Sequence, residues 1–272
     1  MIRPLLAWAA AALALSGSSP ALAWGDKAHQ VVAVIAESHL TPPARDQVQA
    51  LIGPSRLRDV AMWADQIRTQ RPDSKRWHYV NIPLDRAEYV PAKDCARPRA
   101  GDCVVEAIAR FERVLADYDR PRAERAEALR FVTHFVADLH QPLHAADHRD
   151  GGGNDVKVVF FGAVLRPGGR APWNLHAVWD SGLIERRGLS VSKYVQRLTR
   201  QLARQSINDL VAGSVVDWAL ESHRAAGDTA YRLPPDRVLG DEYADMAFPV
   251  IDDLLAKAGV RLAKVLNGAL AP

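Results

Sequence analysis

The sequence predicts a mainly α-helical, single-domain fold with one small β-hairpin. Apolar residues recur at helical spacings of three and four through most of the chain after residue 24. Strand-like sequence is confined to residues 156–161, which a Pro-Gly-Gly turn at 167–169 follows. The chain has 272 residues, of which 48% are hydrophobic and 25% charged, so it can bury a full-sized core. No linker or internal repeat divides it.

The first 23 residues predict an export signal. A basic residue precedes an apolar run at 5–15, and Pro-Ala-Leu-Ala ending at Ala23 has the small residues of a cleavage site. The run is shorter than the ~18 residues that suggest a membrane-spanning helix. We therefore predict cleavage after Ala23, leaving a domain of residues 24–272 in the periplasm or outside the cell. No later segment predicts a membrane span.

The first half of this domain contains several amphipathic helices. Residues 26–39 place apolar side chains on one helical face, and Thr41 followed by proline begins a second, short helix that Gly53 ends. Helical spacing recurs around 60–67 and at 104–118. Residues 69–102 are interpreted mainly as loop, with an extended run at 77–82.

The stretch FVTHFVADLHQPLH, residues 131–144, lies on a long helix that begins near Pro121. His134 and Asp138 are one helical turn apart, ~6 Å along the axis, and could bind one metal ion. His140 and His144 repeat that spacing across a proline, which bends or ends the helix. Ligands from this stretch can therefore reach two different ions.

A second pair with metal-ligand spacing, His176 and Asp180, follows a flexible turn at 150–155 and the predicted hairpin. The C-terminal third is interpreted as scaffold, with helices at about 191–206, 213–226 and 241–266, the last kinked by Pro249.

The chain has nine histidines, and a single histidine on an amphipathic helix is usually a packed or surface residue. We interpret His39 and His223 as surface residues, and His140 and His148 as loop residues or outer supports of a metal site. The two His-x-x-x-Asp pairs, His144 and an acid at position 65 instead favour a polynuclear metal site, because imidazole and carboxylate are zinc ligands.

The chain contains only two cysteines, Cys95 and Cys103, eight positions apart. In an exported protein this spacing predicts a local disulfide, and two thiols alone make a poor zinc site. Formal net charge is only +3, so attraction to polyanions requires a local patch. A run of charged residues at 120–130 is interpreted as a solvated helix face that could also attract phosphate.

An ordered set of motifs across residues 24–180 resembles the zinc-dependent S1/P1 nuclease family. They are Trp24-Gly25 with His29, Trp63-Ala64-Asp65, Trp77-His78-Tyr79, His134-x₃-Asp138, Gln141-Pro142-Leu143-His144, Gly152-x-Asn154-Asp155 and Asn174-Leu175-His176-x₃-Asp180. The resemblance implies a mainly helical phospholipase C/nuclease-like fold and three bound zinc ions.

The resemblance also implies a ligand set for each zinc. The first zinc would be bound by Asp65, His78, His134 and Asp138. The third would share Asp138 and be bound by His29 and by the α-amine and carbonyl oxygen of Trp24. The second would be bound by His144, His176 and Asp180.

The implied activity is hydrolysis of single-stranded DNA and RNA to 5′-mononucleotides, with 3′-nucleotidase activity, by a hydroxide bridging the paired zincs. Arg68, where the family has a lysine, and Asp65 are the expected catalytic residues. Arg68 could instead serve only as a salt-bridge partner. Base binding is expected from Tyr79, Asn81, Gly152 and Asn154. Asn81 replaces a family aspartate, and its amide can donate as well as accept hydrogen bonds. No stable protein partner is implied.

Two alternatives stay open at the level of sequence. Zinc phospholipase C shares the terminal tryptophan and three-zinc arrangement, but it has glutamate where this chain has Asp180, and the Gly-x-Asn turn fits base recognition better. An exported zinc-binding protein without catalysis would need only closed metal coordination. Arg68 and Tyr79 would then have no role.

Overall fold

The computed structural model describes residues 24–95, 102–169 and 171–271, and the predicted export signal lies outside them. The described chain is mainly helical, as the sequence predicts. Its α-helices are α1 (Asp26–Ser38), α2 (Pro42–Ile52), α3 (Leu57–Val60), α4 (Trp63–Gln66), α5 (Pro91–Asp94), α6 (Val104–Ala116), α7 (Arg122–Leu139), α8 (Leu175–Ala177), α9 (Leu183–Arg186), α10 (Val191–Leu202), α11 (Ile207–Leu210), α12 (Val215–Ala225) and α13 (Asp241–Leu270).

Short irregular helices complete this helical architecture. The 3₁₀-helical segments are Pro72–His78 and Pro142–His144, and the π-helical segments are Val178–Gly182 and Ala226–Ala230. Both 3₁₀ segments and the first π segment carry proposed metal ligands, His78, His144 and Asp180. Single π-helical turns are frequent at functional sites.

Helix α7 lies at the centre of the core, because each of its residues from 131 to 139 is buried. It packs against α6, α1, α2 and α13. Helices α1 and α13 approach each other closely at Gly259, where an added Cβ would lie 2.4 Å from Ile35 Cγ2. His134 and Asp138 on α7 are therefore polar groups in the protein core, and burial without partners would be unfavourable.

The predicted β-hairpin takes a different form. Four strands of two residues each, β1 (Ile82–Pro83), β2 (Ala146–Asp147), β3 (Val159–Phe160) and β4 (Val238–Leu239), pair as β1 with β2 and β3 with β4, both in parallel. Among the described residues, isolated antiparallel bridges such as Leu165 with Pro172 flank the Pro-Gly-Gly turn. A left-handed turn at Phe161 and Gly162 interrupts the ladder, and β3 pairs with a remote segment instead.

The extended run predicted at 77–82 is also wrong at its start. Pro72 occupies a first-turn position, and Pro72–His78 folds as a 3₁₀ helix. After His78 the chain extends, and the backbone N–H of Val104 donates to Tyr79 O at 3.1 Å. The predicted disulfide between Cys95 and Cys103 is present, with Cα atoms 4.9 Å apart, and closes the loop just before α6.

The three predicted C-terminal helices are observed as α10, α12 and α13, and α13 continues through Pro249. The prediction of a surface histidine at 223 is wrong, because His223 is buried and donates from Nε2 to Pro83 O at 3.0 Å. Among the described residues, no helix combines the length and apolar character needed to cross a membrane.

Candidate metal centre

The C-terminal end of α7 brings one group of buried ligand-type side chains together. Asp138 Oδ2 lies 3.1 Å from His134 Nε2 and 2.9 Å from His78 Nδ1. Asp65, from α4, completes the group, with its Oδ1 3.7 Å from His78 Nδ1 and 3.8 Å from His134 Nε2. The helical pair of His134 and Asp138 is thus joined by two side chains from earlier in the chain. Asp65 precedes Asp138 by 73 positions, and His78 precedes it by 60.

The other carboxylate oxygen of Asp138 faces the first turn of α1. His29 Nε2 lies 3.2 Å from Asp138 Oδ1, and the His29 ring stacks on the His134 ring. His29 Nδ1 also makes a short contact with the carbonyl oxygen of Trp24, which is fully buried. Asp138 therefore contacts two adjacent groups of ligand-type side chains, and one of them includes the carbonyl of the predicted mature N-terminus.

A separate group lies beyond the break in α7. His176 Nε2 is 3.2 Å from Asp180 Oδ2, and His144 Nε2 is 3.6 Å from Asp180 Oδ1. The rings of the two histidines are stacked with centroids 5.0 Å apart. Three groups of mutually close donor atoms thus occur in the described chain: His29, His134 and Asp138; Asp65, His78 and His134; and His144, His176 and Asp180.

Backbone carbonyls orient the imidazoles of these groups. The Nδ1–H groups of His134, His144 and His176 donate to Ala61 O, His78 O and Gly152 O at 2.7, 2.9 and 2.7 Å. In the neutral imidazole, each of these hydrogen bonds places the proton on Nδ1 and directs Nε2 at the carboxylates, which is the form that binds a metal ion.

The donor atoms fit bound cations. In the described part of the chain, Asp65 Oδ2 is buried and lacks a hydrogen-bond partner, and His29 Nε2 and Asp138 Oδ1, 3.2 Å apart, are buried and make no hydrogen bond. Buried polar atoms without partners are rare and costly, so a cluster of them indicates a missing charge partner. Histidine nitrogen with carboxylate oxygen and no thiolate is a donor set that zinc accepts.

Burial and the carboxylates dominate the electrostatics of these groups. Burial lowers the pKa of His78 to about 4, although Asp138 opposes the shift. Burial also acts to lower the pKa of His134, but the charges of Asp138 and Asp65 outweigh it and raise that pKa to about 9. Burial acts to raise the pKa of Asp138, but these histidines outweigh it and hold that pKa well below its usual range. The bridging residue is therefore an ionised donor.

A cleft of about 170 Å³ opens onto these groups. Its lining residues are Arg68, His78, Tyr79, Asn81, Leu143, His144, Gly151, Asn154 and His176. Arg68 Nη1 also contacts Asp65 Oδ1 at 3.2 Å, so the ion pair and the position beside the cleft coexist. Gly152 does not line the cleft; it is buried behind the cleft wall, where its carbonyl orients His176.

Comparison with known proteins identifies the family of this chain. A model of the S1/P1 Nuclease family matches residues 24–271, which is more than nine-tenths of the chain. The chain belongs to the S1/P1 nuclease family. Its members with similar sequences include Nuclease S1 of Aspergillus oryzae (strain ATCC 42149 / RIB 40), which is 31% identical over 97% of this chain and 96% of that protein.

Other relatives of this S1/P1 nuclease cover it to a similar extent. Endonuclease 4 of Arabidopsis thaliana is 31% identical over 91% of this chain and 89% of its own length. Nuclease P1 of Penicillium citrinum is 30% identical over 90% and 97%. The chain is therefore a nuclease, a hydrolase of nucleic-acid phosphodiester bonds, and the family match favours this activity over the phospholipase alternative.

Sequence reasoning missed the supporting role of Gln141 in this S1/P1 nuclease. Its Nε2 donates to Asp180 Oδ1 at 2.6 Å, and its Oε1 accepts from Leu143 N at 2.5 Å. Gln141 is fully buried, so both bonds are shielded from water. The available signal in the sequence was the position of this glutamine, directly before Pro142 and between two histidines, His140 and His144.

His140, in contrast, is occupied by structural contacts. Its Nδ1–H donates to Val136 O at 2.7 Å, its Nε2 accepts from Arg261 at 3.0 Å, and its ring packs near Trp218. His148 packs against the ring of Tyr231. Neither belongs to the three groups of close donor atoms.

Proposed function

We propose that this nuclease hydrolyses single-stranded DNA and RNA to 5′-mononucleotides and removes phosphate from 3′-nucleotides, using three zinc ions. The observation that carries the proposal is the position of Asp138. It joins two groups of unpartnered donor atoms next to a cleft that also contains a cationic side chain and an aromatic ring.

The residues present divide into three ligand sets. Asp65, His78, His134 and Asp138 would bind the first zinc, and His144, His176 and Asp180 the second. Asp138, His29 and Trp24 would bind the third. Zinc supplies a water of lowered pKa, about 7, as nucleophile and stabilises negative charge on phosphoryl and leaving oxygens.

The protein groups beside the cleft would position the phosphodiester. Water attacks phosphorus, the bond to the 3′ oxygen breaks, and that oxygen leaves with a proton, so the phosphate stays on the 5′ side of the next nucleoside. Arg68 can hold two phosphoryl oxygens with its planar guanidinium as negative charge builds. Its pairing with Asp65 fixes the guanidinium beside the cleft before substrate arrives.

Base binding is assigned to other residues that line the cleft. The half-buried ring of Tyr79 offers a stacking surface, which is worth ~1–3 kcal/mol per base and tolerates any base. Asn81 and Asn154 also line the cleft, and their side-chain amides could hydrogen-bond base edges, although Asn154 Nδ2 already donates to Gly151 O at 2.8 Å. Because stacking requires an unpaired base, this arrangement favours single strands over duplex.

One assay tests the function. Zinc-loaded mature protein is compared on RNA, single-stranded DNA, duplex DNA, a 3′-nucleotide and phosphatidylcholine, with and without chelator. We expect chelator-sensitive release of 5′-mononucleotides from single strands and of phosphate from the 3′-nucleotide. Activity on phosphatidylcholine alone would establish the phospholipase instead. Zinc binding without hydrolysis of any substrate would establish a non-catalytic binding protein.

Export and cleavage after Ala23 are part of the same proposal. A free α-amine at Trp24 exists only after cleavage, and the Trp24 carbonyl already lies against His29. We expect a precursor with a blocked cleavage site to bind less zinc than the mature protein and to have lower activity. Equal zinc content and activity in the two forms would disprove the terminal-ligand assignment.

A further inference from the structure

A row of exposed basic side chains runs along α10 and the turn after it. Its members, at relative positions i, i+4, i+7 and i+11, are Lys193, Arg197, Arg200 and Arg204. This spacing places them on one face of a helix, ~16 Å from end to end. The backbone N–H of Ala203 donates to Thr199 O, so the helical path continues past Leu202. We call these four residues the basic row.

The basic row is nearly free of acidic partners. Arg197 pairs with Asp252 at 2.9 Å, but Asp252 also pairs with Arg187, so one positive charge remains in that cluster. Among the described residues, the other three members of the row have no carboxylate oxygen within 4.0 Å of their side-chain nitrogens. This part of the surface therefore carries a positive potential that local ion pairs do not cancel.

The concentration of charge is specific to this segment. Residues 186–208 contain six Lys and Arg and no Asp or Glu, whereas the whole chain has a formal net charge of +3. Subtracting these six cations leaves the rest of the chain with a net charge of −3. The positive charge of this protein is thus concentrated on and beside one helix, which solubility alone does not require.

The opposite face of α10 fixes the row in place. Tyr194, Leu198 and Leu202 are buried, and the hydroxyl of Tyr194 donates to Asp252 at 2.8 Å. The helix packs against α1, which carries His29 of the metal centre, and against α13. The side chains of the basic row therefore project from a rigid element that is anchored to the same core as the candidate metal centre.

We propose that the basic row is an exosite for the phosphate backbone of a long single-stranded nucleic acid. A line of charges about one helical turn apart fits a linear polyanion, whereas a mononucleotide can meet only one or two of them. The exosite would hold a distant part of the strand while another part enters the cleft. The inference rests on the proposed single-strand activity. It predicts that the contribution of the basic row to substrate binding increases with the length of the strand.

The test is a triple variant, Lys193→Gln, Arg200→Gln and Arg204→Gln. Arg197 is kept because its loss would leave Asp252 with fewer partners. The control removes the same charge from exposed cations that do not form a row: Lys93, Arg113 and Arg224, each changed to Gln. Steady-state kinetics give KM for a long single strand and for a 3′-nucleotide. The binding constant K of the long strand, made as a phosphorothioate, is measured over a range of salt concentrations.

We expect the row variant to raise KM for the long strand about tenfold and to leave 3′-nucleotide kinetics unchanged. The slope of log K against log salt should become less negative by about 2, because each lost phosphate contact on a single strand contributes ~0.7. The control variant should change neither quantity by a comparable amount.

Three results would overturn the exosite. The first is an unchanged KM and salt slope, and the second is an equal effect of the control variant. The third is lost binding to phosphatidylglycerol vesicles with unchanged binding to the single strand, which would make the row a membrane-contacting surface. Wild-type protein that cleaves only duplex would refute the proposed function. The salt dependence of single-strand binding would then still test the basic row separately.

Discussion

Replacing Gly152 with alanine tests how the loop at 150–155 supports the metal centre. Gly152 has φ +64°, and an added Cβ would lie 2.4 Å from Leu143 O and 3.3 Å from Ala146 O. Neither oxygen can move freely, because both belong to the backbone of the Pro142–His144 turn and the strand after it. Alanine must therefore displace the loop, and with it the carbonyl that accepts the Nδ1–H of His176.

Gly151 provides a matched control. It has φ +65°, but the nearest atom to its added Cβ is Asn154 Cβ at 3.7 Å, an ordinary contact. Each alanine costs ~1–2 kcal/mol for the left-handed backbone. Only Gly152→Ala adds an overpacking cost, about 1–3 kcal/mol. For a domain of this size the difference corresponds to a Tm about 2–12 °C lower than that of Gly151→Ala.

Thermal unfolding and zinc titration of the two variants check this reasoning. Loss of the outer hydrogen bond to a metal-ligating histidine typically lowers metal affinity 10–100-fold, so Gly152→Ala should weaken one zinc site by about that factor. Gly151→Ala should retain the wild-type affinity at all sites. Equal Tm values and equal zinc affinities for the two variants would show that the loop does not position His176.

Three further predictions use the same protein preparation. Chelator should abolish hydrolysis and lower Tm, because a ligand at 100 times its Kd stabilises the fold by about 2.7 kcal/mol. Added zinc should restore both, and an unchanged Tm would contradict structural metal binding. Tyr79→Ala should raise KM for single strands about 5- to 150-fold, which corresponds to the ~1–3 kcal/mol of one stacked base. Tyr79→Phe keeps the ring and should have little effect, so equal kinetics for the two variants would refute stacking. Gln141→Ala should weaken one zinc site about 10–100-fold, because Asp180 loses the amide that orients it, and an unchanged zinc stoichiometry and affinity would contradict that role.

The sequence predicted those parts of the site that depend on local spacing. His134 with Asp138 and His176 with Asp180 stand one turn apart, and in the structure each pair lies within 3.2 Å. Periodicity also predicted the helices, because an amphipathic helix depends on neighbours in sequence. The prediction needed no knowledge of which elements pack together.

Long-range partners could not be predicted in the same way. The carbonyl groups that orient His134 and His144 belong to Ala61 and His78, which lie 73 and 66 residues away in sequence. Any residue can supply a backbone carbonyl, so no side-chain pattern identifies these acceptors. The hairpin prediction has the same limit, because β3 pairs in parallel with β4, 79 positions later, and joins the segment after its own turn through an isolated antiparallel bridge, Phe160 with Ala163.

The end of α7 explains why two histidines with the same spacing have different roles. His140 caps the helix and keeps both ring nitrogens in contacts with Val136 and Arg261. Pro142 then begins a 3₁₀ turn, which redirects His144 so that its Nε2 faces Asp180. An uninterrupted helix would have placed His144 one turn above His140, on the face that packs against Trp218. The proline therefore lets one segment contribute Asp138 to the paired groups and His144 to the separate one.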